Sequence, residues 1–360
     1  MKIAIFGAGQ LAMMMIEASS NLSHEFIVID PASRPPASKL AKHYRVEYND
    51  EEILKFVASE CDIATIDFEN VDISALKYLE NHIKVSPPSS ALKICQDRLY
   101  EKKLFTELGI NVTEYHSVNN INDIEDIVFD DKSSYLLKSR RFGYDGKNQL
   151  KCDEEKELLN NLLSKNDCII EKLVDFKTEV SLICVRQDKD TIFFYPLVEN
   201  FHKGGILRYS IFPYSNAPLQ DVAEEYATNL LNYFNYVGVL VIEFFVSNDG
   251  SLIANEMAPR VHNSGHWSIE GCSMSQFESH IRAITGQLST FADDFKPSIM
   301  MNILSKYPKP EKISELGEHY MHSYHKEERD LRKLGHITKV ANQKKELLED
   351  LQRYLDILNN

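Results

Sequence analysis

The chain has 360 residues, a formal net charge of −14 and 43% hydrophobic residues, which suits two or three globular domains of the usual ~100–200 residues and argues against general disorder. An acidic chain gains little from a phosphate backbone, so nucleic acid is not expected as a partner. The six cysteines form no C-x-x-C pair, which favours reduced thiols in a cytoplasmic protein. No stretch approaches the ~20 apolar residues of a membrane-spanning helix, and the apolar N-terminal run predicts a first strand rather than a signal peptide.

Residues 1–90 alternate the signals of strands and helices. This rhythm is typical of a parallel α/β sheet. Two prolines flanked by serines at residues 86–90 then mark a domain boundary, because they end one element and can cap the next. The predicted strands cover residues 2–6, 26–30 and 62–67, and the predicted helix covers residues 51–58.

A glycine-rich turn follows the first predicted strand. Residues 7–12, Gly-Ala-Gly-Gln-Leu-Ala, fit G-x-G-x-x-A and open a helix, and Asp30 ends the next strand about 20 residues on. Alone, this pattern predicts a dinucleotide site and therefore an NAD-dependent dehydrogenase. The motif leaves two other interpretations open: a phosphate site for a different ligand at the helix N-terminus, or a tight turn that binds nothing.

A second glycine loop follows an apolar strand that ends in Lys138. Glycine lets a backbone approach phosphate oxygens closely, and Lys138, Arg140, Arg141 and Lys147 place positive charge around this loop. The G-x-x-x-x-G-K-[ST] pattern is absent, so the loop is not a Walker A motif. We interpret it as a mobile phosphate-binding loop; the alternative is a surface hairpin with solvated charges.

The β run at residues 169–174 carries Glu171 near its end and precedes Glu179. Backbone groups at such a strand end can pair with a base, and carboxylates can accept hydrogen bonds from ribose hydroxyls. An ordinary strand end would show the same pattern.

Two acids lie on one predicted hairpin. Apolar strand runs flank Ser-Asn-Asp-Gly at residues 247–250, which predicts a four-residue hairpin loop. In the simplest register Glu243 faces Ala254, and Glu256 lies on the same face along the diagonal, ~7–8 Å away at Cα. Such carboxylates can hold Mg²⁺, with nucleotide phosphates completing octahedral shells. The alternative is a pair of exposed acids, but burial in so apolar a hairpin would be costly without a cation.

Residues 258–267 follow this hairpin and have little periodicity. They contain Arg260, His262, Asn263 and His266, together with the chain's single tryptophan. A lone histidine is usually structural, but polar residues clustered beside an acid hairpin predict contacts with a substrate.

Together these residues resemble the ATP-grasp superfamily and, within it, the 5-(carboxyamino)imidazole ribonucleotide synthases of purine biosynthesis. The resemblance extends over nearly the whole chain. Its most specific part is Asn-Glu-Met-Ala-Pro-Arg-Val-His-Asn-Ser-Gly-His at residues 255–266. The other matching segments are residues 7–11, 68–71, 143–149, 195–196, 199–202, 275–278 and 332–336.

The resemblance implies an α/β ATP-grasp fold with three domains. These are an N-terminal parallel-sheet domain like that of biotin carboxylase (1–90), an ATP-grasp domain (91–290) with a lid at about 112–175, and a small C-terminal domain (291–360). The implied activity is that of an ATP-dependent carbon–nitrogen ligase. It would carboxylate the amine of 5-aminoimidazole ribonucleotide with bicarbonate through carboxyphosphate. The implied cofactor is Mg²⁺ or Mn²⁺, and the implied assembly is a cytoplasmic homodimer.

The resemblance also implies roles for individual residues. The residues implied for ATP are Arg98, Lys138, Gly143, Tyr144, Asp145, Gly146, Lys147, Asn148, Gln149, Glu171, Lys172, Leu173, Val174, Glu179, His202, Asn255 and Glu256. The implied metal ligands are Glu243 and Glu256, and the implied catalytic residues are Asp145, Arg260, His262 and Asn263, of which the last three would shape the bicarbonate and carboxyphosphate site. The residues implied for the ribonucleotide are Gly9, Gln10, Glu69, Asp145, Lys326 and Arg332.

The chain departs from the family's loop pattern G-G-Y-D-G-K-G-Q at Phe142 and Asn148, where the family has glycine, so a stiffer lid is expected. Ala8 and Ala12 also stand where glycine is common. Three other functions stay open: another ATP-grasp carboxylase or ligase that uses formate or biotin, the dehydrogenase, and a nucleotide sensor without activity. The dehydrogenase explains neither the acid hairpin nor the second half of the chain. The sensor does not explain why the charged groups needed for catalysis are present.

Overall fold

The computed structural model describes residues 1–127, 131–143, 148–291 and 294–359. Within these residues the strands form three sheets, one for each successive part of the chain. None of the helices in the described ranges combines the length and the apolar character that crossing a membrane requires.

The N-terminal part is a parallel α/β unit, as predicted. Its apolar strands are buried on both faces, which is typical of parallel sheets covered by helices. Asp50 and Asp72 accept hydrogen bonds from the first turns of the second and third helices and so fix where those helices begin. The elements are β1 (Lys2–Phe6), α1 (Gln10–Ala18), β2 (Glu25–Ile29), β3 (Lys42–Tyr44), α2 (Glu51–Glu60), β4 (Ile63–Ile66), α3 (Ile73–Glu80), β5 (Lys84–Val85), α4 (Ser89–Cys95) and α5 (Arg98–Glu107), with sheet order β3-β2-β1-β4-β5. The predicted strands and helix all form, with ends that shift by one or two residues.

A small antiparallel sheet follows, and we name it the lid sheet because it falls within residues 112–175, for which a lid is predicted. Its helices cover an apolar cluster that includes Leu137, Leu159 and Ile170. The elements are β6 (Tyr115–Val118), α6 (Ile121–Ile127), β7 (Tyr135–Ser139), β8 (Gln149–Lys151), α7 (Lys156–Leu163) and β9 (Cys168–Lys172), with sheet order β6-β9-β7-β8.

The remainder of the described chain builds one large antiparallel sheet. Its elements are β10 (Phe176–Arg186), β11 (Ile192–Phe194), β12 (Val198–Lys203), β13 (Ile206–Phe212), α8 (Ala217–Phe234), β14 (Gly238–Ser247), β15 (Leu252–Ala258), α9 (Ser268–Gly271), α10 (Gln276–Thr285), β16 (Ser298–Leu304), α11 (Pro310–Ser314), β17 (Tyr320–Ser323), β18 (Lys333–Val340) and α12 (Lys344–Asn359). The order is β15-β14-β10-β12-β13-β16-β18-β17, with β11 beside β10. The C-terminal strands β16 to β18 therefore extend this sheet through β13, so strands from both sides of the boundary predicted near residue 290 belong to one sheet.

Helices α1 and α10 join the N-terminal unit to the large sheet, and both contribute to one core cluster that also contains Ile183 and Trp267. A buried polar chain crosses the same junction. The Val239 N–H donates to His280 Nδ1 at 3.1 Å, so the proton of the neutral ring lies on Nε2, which donates to Thr65 Oγ1 at 2.9 Å. The edge where β1 and β4 end is thereby fixed relative to β14 and β15.

Candidate active site

A cavity of about 1020 Å³ lies between the ends of the N-terminal strands, helix α5, the β14–β15 hairpin and the segment before β18. Many of the predicted site residues line it, although they come from distant parts of the sequence. The predicted residues on its wall are Gly9, Gln10, Glu69, Arg98, Gly143, Glu256, Arg260, His262, Asn263, Lys326 and Arg332.

The other predicted residues are not in the lining of this cavity; they lie on or next to the lid sheet, on the β9–β10 connection and on the large sheet. They are Lys138, Asn148, Gln149, Glu171, Lys172, Leu173, Val174, Glu179, His202, Glu243 and Asn255. Tyr144, Asp145, Gly146 and Lys147 lie outside the described residues, and their assignments stay predictions.

Two carboxylates occupy the glycine turn that the sequence assigned to a phosphate. Asp67, at the end of β4, accepts from the N–H of Gly9 at 2.6 Å and of Ala12 at 3.3 Å. Asp30 accepts from the N–H of Ala8 at 2.9 Å. Gly7 has φ of +98°, and a Cβ there would lie 1.6 Å from Asp67 Oδ1, so glycine is required by the carboxylate rather than by a dinucleotide.

This arrangement argues against the dehydrogenase, because the donors of its pyrophosphate site already bind acids. Burial raises the pKa of Asp67 to about 7, although the N–H groups oppose the shift. The sequence analysis missed Asp67. Its place at the end of an apolar parallel strand beside the first could have indicated it.

The acid hairpin forms, but its register differs from the prediction. Val246 pairs with Leu252 rather than Ser251, and a β-bulge lies between the Phe244–Ala254 and Glu243–Glu256 pairs. The prediction that Glu243 faces Ala254 with Glu256 on the diagonal is therefore wrong. The hairpin loop is one residue longer than predicted, because it also includes Ser251. The bulge then adds Asn255 to β15, and no local signal in the sequence indicates this extra residue.

Glu243 and Glu256 consequently stand directly opposite each other on one face. Glu256 Oε2 accepts from Arg98 Nη1 at 2.9 Å. Glu243 Oε1 is buried without a hydrogen-bond partner among the described atoms and lies 3.7 Å from His262 Nδ1. Burial, with the charge of Glu256 adding to it, raises the pKa of Glu243 to about 7. A buried carboxylate with an unsatisfied oxygen beside a second carboxylate fits a cation.

The protein alone would not complete such a site. Within the described ranges no group of three or more His, Cys, Asp or Glu side chains is arranged to hold a metal ion. A cation at Glu243 and Glu256 would therefore take its other oxygen ligands from phosphates and water, which is how Mg²⁺ commonly binds in nucleotide sites.

Helix α5 places a set of charged groups against the hairpin, and most of this set was not predicted. Arg98, Glu101 and Lys102 share one face because of their spacing. The Glu101 carboxylate accepts from the Met257 N–H at 2.8 Å, and Lys102 Nζ donates to the carbonyls of Ala254 and Asn255. Three charges at i, i+3 and i+4 beside a helix cap could have indicated this buried polar face.

Two of the predicted loop cations, Arg140 and Arg141, form ion pairs within the protein. Arg140 makes a bidentate contact with Asp97, at 2.9 and 2.7 Å, and Arg141 Nε lies 3.4 Å from the same carboxylate. Asp97 also accepts from the N–H of Leu99 at the start of α5. These arginines therefore anchor the base of the lid loop to α5, whereas Lys138 remains the strand-end cation nearest the nucleotide residues.

Lys138 pairs with Glu171 at 2.9 Å. Burial alone would raise the pKa of Glu171, but the charges of Lys138, Lys102 and Arg98 lower it to about 2. Further along, the N–H groups of Lys172 and Leu173 already donate to protein carbonyls. An adenine edge would have to use the other backbone groups of this segment.

On the large sheet, His202 Nδ1 lies 2.7 Å from Glu179 Oε2. Burial opposes protonation of His202, but the hydrogen bond to Glu179 and the charge of Glu243 raise its pKa. The predicted nucleotide residues Glu179 and His202 thus form an ion pair on which the charge of Glu243 also acts.

The segment after β15 holds Arg260 against Glu69 in a close ion pair. The His262 ring has its pKa lowered well below the usual value by burial and by the charge of Arg260. Its Nδ1 accepts from the Ser264 N–H at 3.3 Å, so the neutral ring carries its proton on Nε2. Both residues line the cavity, as predicted.

Asn263 also lines the cavity, and its amide is fixed by reciprocal bonds to Asn302 at 3.1 and 2.8 Å. His266 is 1% exposed and bonded to Asn263 and Tyr324. The prediction of a substrate contact is therefore wrong for His266, which packs inside the protein.

The C-terminal segment closes the far end of the cavity. Lys326 Nζ donates to Gln10 Oε1 at 2.6 Å across 316 positions of sequence. Arg332 lines the same wall, with Nη1 3.3 Å from the Glu327 carbonyl. As predicted, this segment folds back across the N-terminal turn and brings cations to it.

Family comparisons agree with this arrangement. Residues 1–96 match the ribonucleotide synthetase preATP-grasp domain, residues 103–277 the ATP-grasp domain, and residues 298–350 the phosphoribosylaminoimidazole carboxylase C-terminal domain. With the acid hairpin at one edge of the large antiparallel sheet and a small antiparallel sheet before it in the chain, the fold and site define an ATP-grasp enzyme, and the three-domain prediction is confirmed.

An N5-carboxyaminoimidazole ribonucleotide synthase from Pseudomonas aeruginosa is 38% identical over 340 residues, 94% of each chain. The crystal structure of the N5-carboxyaminoimidazole ribonucleotide synthetase from Thermus thermophilus superposes with a TM-score of 0.91 at 38% identity over 99% of both chains. The Aspergillus clavatus enzyme, in complex with ADP and 5-aminoimidazole ribonucleotide, gives 0.87 at 27% identity over 99% of this chain and 98% of that one. This chain belongs to the N5-carboxyaminoimidazole ribonucleotide synthase family, the family named above as 5-(carboxyamino)imidazole ribonucleotide synthases. The predicted enzyme class, an ATP-dependent ligase, is confirmed with it.

Proposed function

We propose that this chain carboxylates the amine of 5-aminoimidazole ribonucleotide at the expense of ATP, in purine biosynthesis. One observation carries the proposal beyond family membership: a single cavity extends from Arg98 and Glu256 to Gln10 and Lys326. A nucleotide phosphate at the acid hairpin and a ribonucleotide at the N-terminal turn would therefore react in one shared space.

The reaction has two steps. A bicarbonate oxygen attacks the γ-phosphorus of ATP, the bond to ADP breaks, and carboxyphosphate forms. The amine nitrogen then attacks the carboxyl carbon, directly or after release of CO₂, and phosphate leaves while the amine loses a proton. Carboxyphosphate hydrolyses in water, so closure of the loop at residues 143–149 over the cavity would protect it.

Glu243 and Glu256 would hold Mg²⁺, with Mn²⁺ as a substitute, and a bound divalent ion neutralises charge on the transferred phosphoryl group. Lys138 would bind phosphate oxygens and give up part of its contact with Glu171. Glu171 remains a carboxylate throughout, because its pKa is about 2. Glu179 and His202 would contact the ribose side of the nucleotide.

On the bicarbonate side, Arg260 supplies a fixed positive charge and the Nε2–H of neutral His262 supplies a hydrogen bond. Both act on oxygens where negative charge develops. Asn263 is fixed by Asn302 and orients the same group. Glu69 holds Arg260 in place and Asp145, outside the described residues, would position the amine.

An ADP-release assay tests this function, with product identified by mass and each component omitted in turn. We expect turnover to require ATP, Mg²⁺, bicarbonate and the ribonucleotide together. Formate or biotin in place of a substrate should not restore it. ADP release that proceeds unchanged without the ribonucleotide, or that needs formate or biotin, would contradict the proposal.

The location, the assembly and the domain boundaries are part of the same proposal. We infer a cytoplasmic location, because a purine-biosynthesis enzyme meets its substrates in the cytoplasm. We also infer a homodimer, as the family resemblance implies, and light scattering of the purified protein tests the assembly. We keep the domain division at 1–90, 91–290 and 291–360, with the lid at about 112–175. Limited proteolysis with mass detection of the cut sites tests these boundaries.

A further inference from the structure

The β-bulge at Asn255 decides which face of the hairpin carries Glu256. Phe244 pairs with Ala254, and the next pair along is Glu243 with Glu256. In a regular ladder Glu256 would instead pair with Ile242, whose side chain is fully buried in an apolar cluster. Because side chains alternate between faces, one residue of slip moves a carboxylate to the opposite face. Without the bulge the two acids could not stand together.

Lys102 donates hydrogen bonds to the backbone at this bulge. Its side chain is 1% exposed, and Nζ donates to the Asn255 carbonyl at 2.8 Å and to the Ala254 carbonyl at 3.2 Å. A bulge disrupts the ladder locally and leaves backbone groups in need of other partners. One ammonium satisfies two consecutive carbonyls at the point where the strand departs from regular pairing.

The same ammonium also reaches the lid sheet. Lys102 Nζ lies 3.7 Å from Glu171 Oε2, and that oxygen is 2.9 Å from Lys138 Nζ. A buried cation is costly unless it is paired and hydrogen-bonded, and here both conditions are met by groups on two different sheets, Glu171 on β9 and the carbonyls of β15. An uncharged donor could satisfy a carbonyl, but it would not supply the positive charge that pairs with Glu171.

We propose that Lys102 is a positioning residue for the divalent-cation site: by holding the carbonyls of Ala254 and Asn255 it fixes the bulge that places Glu256 opposite Glu243. This inference rests on the Mg²⁺ site of the proposed function. Lys102 is not among the residues that line the cavity, and it acts through the main chain of β15.

Substitution Lys102→Met tests the inference, because methionine keeps the length and apolar body of the side chain but has no donor. The readout is ADP affinity by calorimetry in excess Mg²⁺ and again in EDTA, and the quantity of interest is the ratio of the two affinities. We expect that ratio to fall about fivefold or more relative to the unsubstituted protein. A purely structural role would lower both affinities together and leave the ratio unchanged.

Lys339→Met is the matched control. Lys339 is also buried, at 8% exposure, and its Nζ donates to the carbonyls of Leu316 and Glu318, away from the cavity. We expect the control to keep the affinity ratio of the unsubstituted protein even if its melting temperature drops. If Lys102→Met is insoluble, Lys102→Leu, which also has no donor, is measured in the same way.

A ratio within about twofold of the unsubstituted protein, whatever the change in overall affinity, would overturn the inference, and so would an equal fall in the control. If ADP affinity of the unsubstituted protein does not depend on Mg²⁺, the metal site itself fails, and the role of Lys102 fails with it. That last result is distinct from a failure of the carboxylation assay, which depends on the ribonucleotide and bicarbonate.

Discussion

Glu256 stands opposite Glu243, yet the two carboxylates have different partners: Glu256 is held by Arg98 at 2.9 Å, and Glu243 faces His262 at 3.7 Å. A cation between them would be the group that satisfies both. We expect Glu256→Gln to lower Mg²⁺-dependent ATP turnover by about 100-fold or more, because it removes a carboxylate that would hold the ion neutralising charge on the transferred phosphoryl group. Steady-state ADP release measures this.

Glu278→Gln is the control for this substitution, since Glu278 also pairs with an arginine, Arg282 at 2.6 Å, but on helix α10. It should retain turnover close to that of the unsubstituted protein. Near-normal turnover in folded Glu256→Gln would show that the acid pair is not the metal site.

The glycine turn predicts no useful affinity for NAD(H), because Asp67 and Asp30 already accept from its N–H groups. A dinucleotide pyrophosphate would meet carboxylates where it needs donors. Fluorescence titration with NADH should show no saturation in the micromolar range, whereas ADP should bind in the same buffer. Saturable micromolar NADH binding would revive the dehydrogenase interpretation.

How much of this site the sequence could predict depends on the kind of information each part needs. The residues at 255–266 identify the chemistry by type and order, and β1, β2 and β4 follow from their apolar runs, whereas β3 was not predicted. The bulge at Asn255 does not follow from such a run, since it is held by Lys102 and by the N–H of Ala254 donating to Asn111, both distant in sequence. Asp67 differs from the bulge, because it directly follows an apolar strand parallel to the first, and that position in the sequence could have indicated it.

The lid loop shows a different limit. The sequence revealed that Phe142 and Asn148 replace family glycines, and the structure gives both a left-handed backbone, with φ of 59° and 55°. Asparagine tolerates this conformation, but for other residues with a Cβ it costs roughly 1–2 kcal/mol. For Phe142 we therefore expect backbone strain at the base of the lid loop in addition to a stiffer lid.

We expect Phe142→Gly to stabilise the protein by at most about 1 kcal/mol, because relief of strain is partly offset by the entropy of glycine in the unfolded chain. The midpoint of thermal unfolding measures it. Phe142→Ala is the control, since it removes the 66% exposed ring but keeps the Cβ. Equal stabilisation by alanine and glycine would show that the ring, and not the backbone, is responsible.

His280 makes stability depend on pH. Burial lowers its pKa to about 4, while an unfolded histidine titrates near 6.5. The unfolded chain therefore binds the proton more readily. The stability contributed by neutral His280 is complete above about pH 6.5 and is lost as pH falls from there towards 4. Between pH 7 and 5 the loss is about 2 kcal/mol.

His280→Asn tests this, because its Oδ1 can still accept from the Val239 N–H but does not titrate. The fall in thermal midpoint between pH 7 and 5 should be several degrees smaller than in the unsubstituted protein, at about 2–4 °C per kcal/mol. Exposed His82 provides the control substitution, His82→Asn, which should not change the slope. An unchanged slope in His280→Asn would assign the acid sensitivity to other buried histidines.

Binding of the substrate phosphate depends on charges from the two ends of the chain. The N-terminal turn has lost three N–H donors to Asp30 and Asp67, so a phosphate with nearly two negative charges needs cations from elsewhere. Lys326 already reaches that turn through Gln10, and Arg332 lines the same wall.

Arg332→Ala should therefore remove a charge-assisted contact worth ~1.5–3 kcal/mol. Because the contact lies far from the γ-phosphate, KM for the ribonucleotide should rise ~10–100-fold while KM for ATP changes little. Arg353→Ala, on α12 at an exposed pair with Asp350, is the control and should leave both constants unchanged. Steady-state kinetics with each substrate varied in turn decides between the sites: if KM for ATP rises and that for the ribonucleotide does not, Arg332 serves the nucleotide instead.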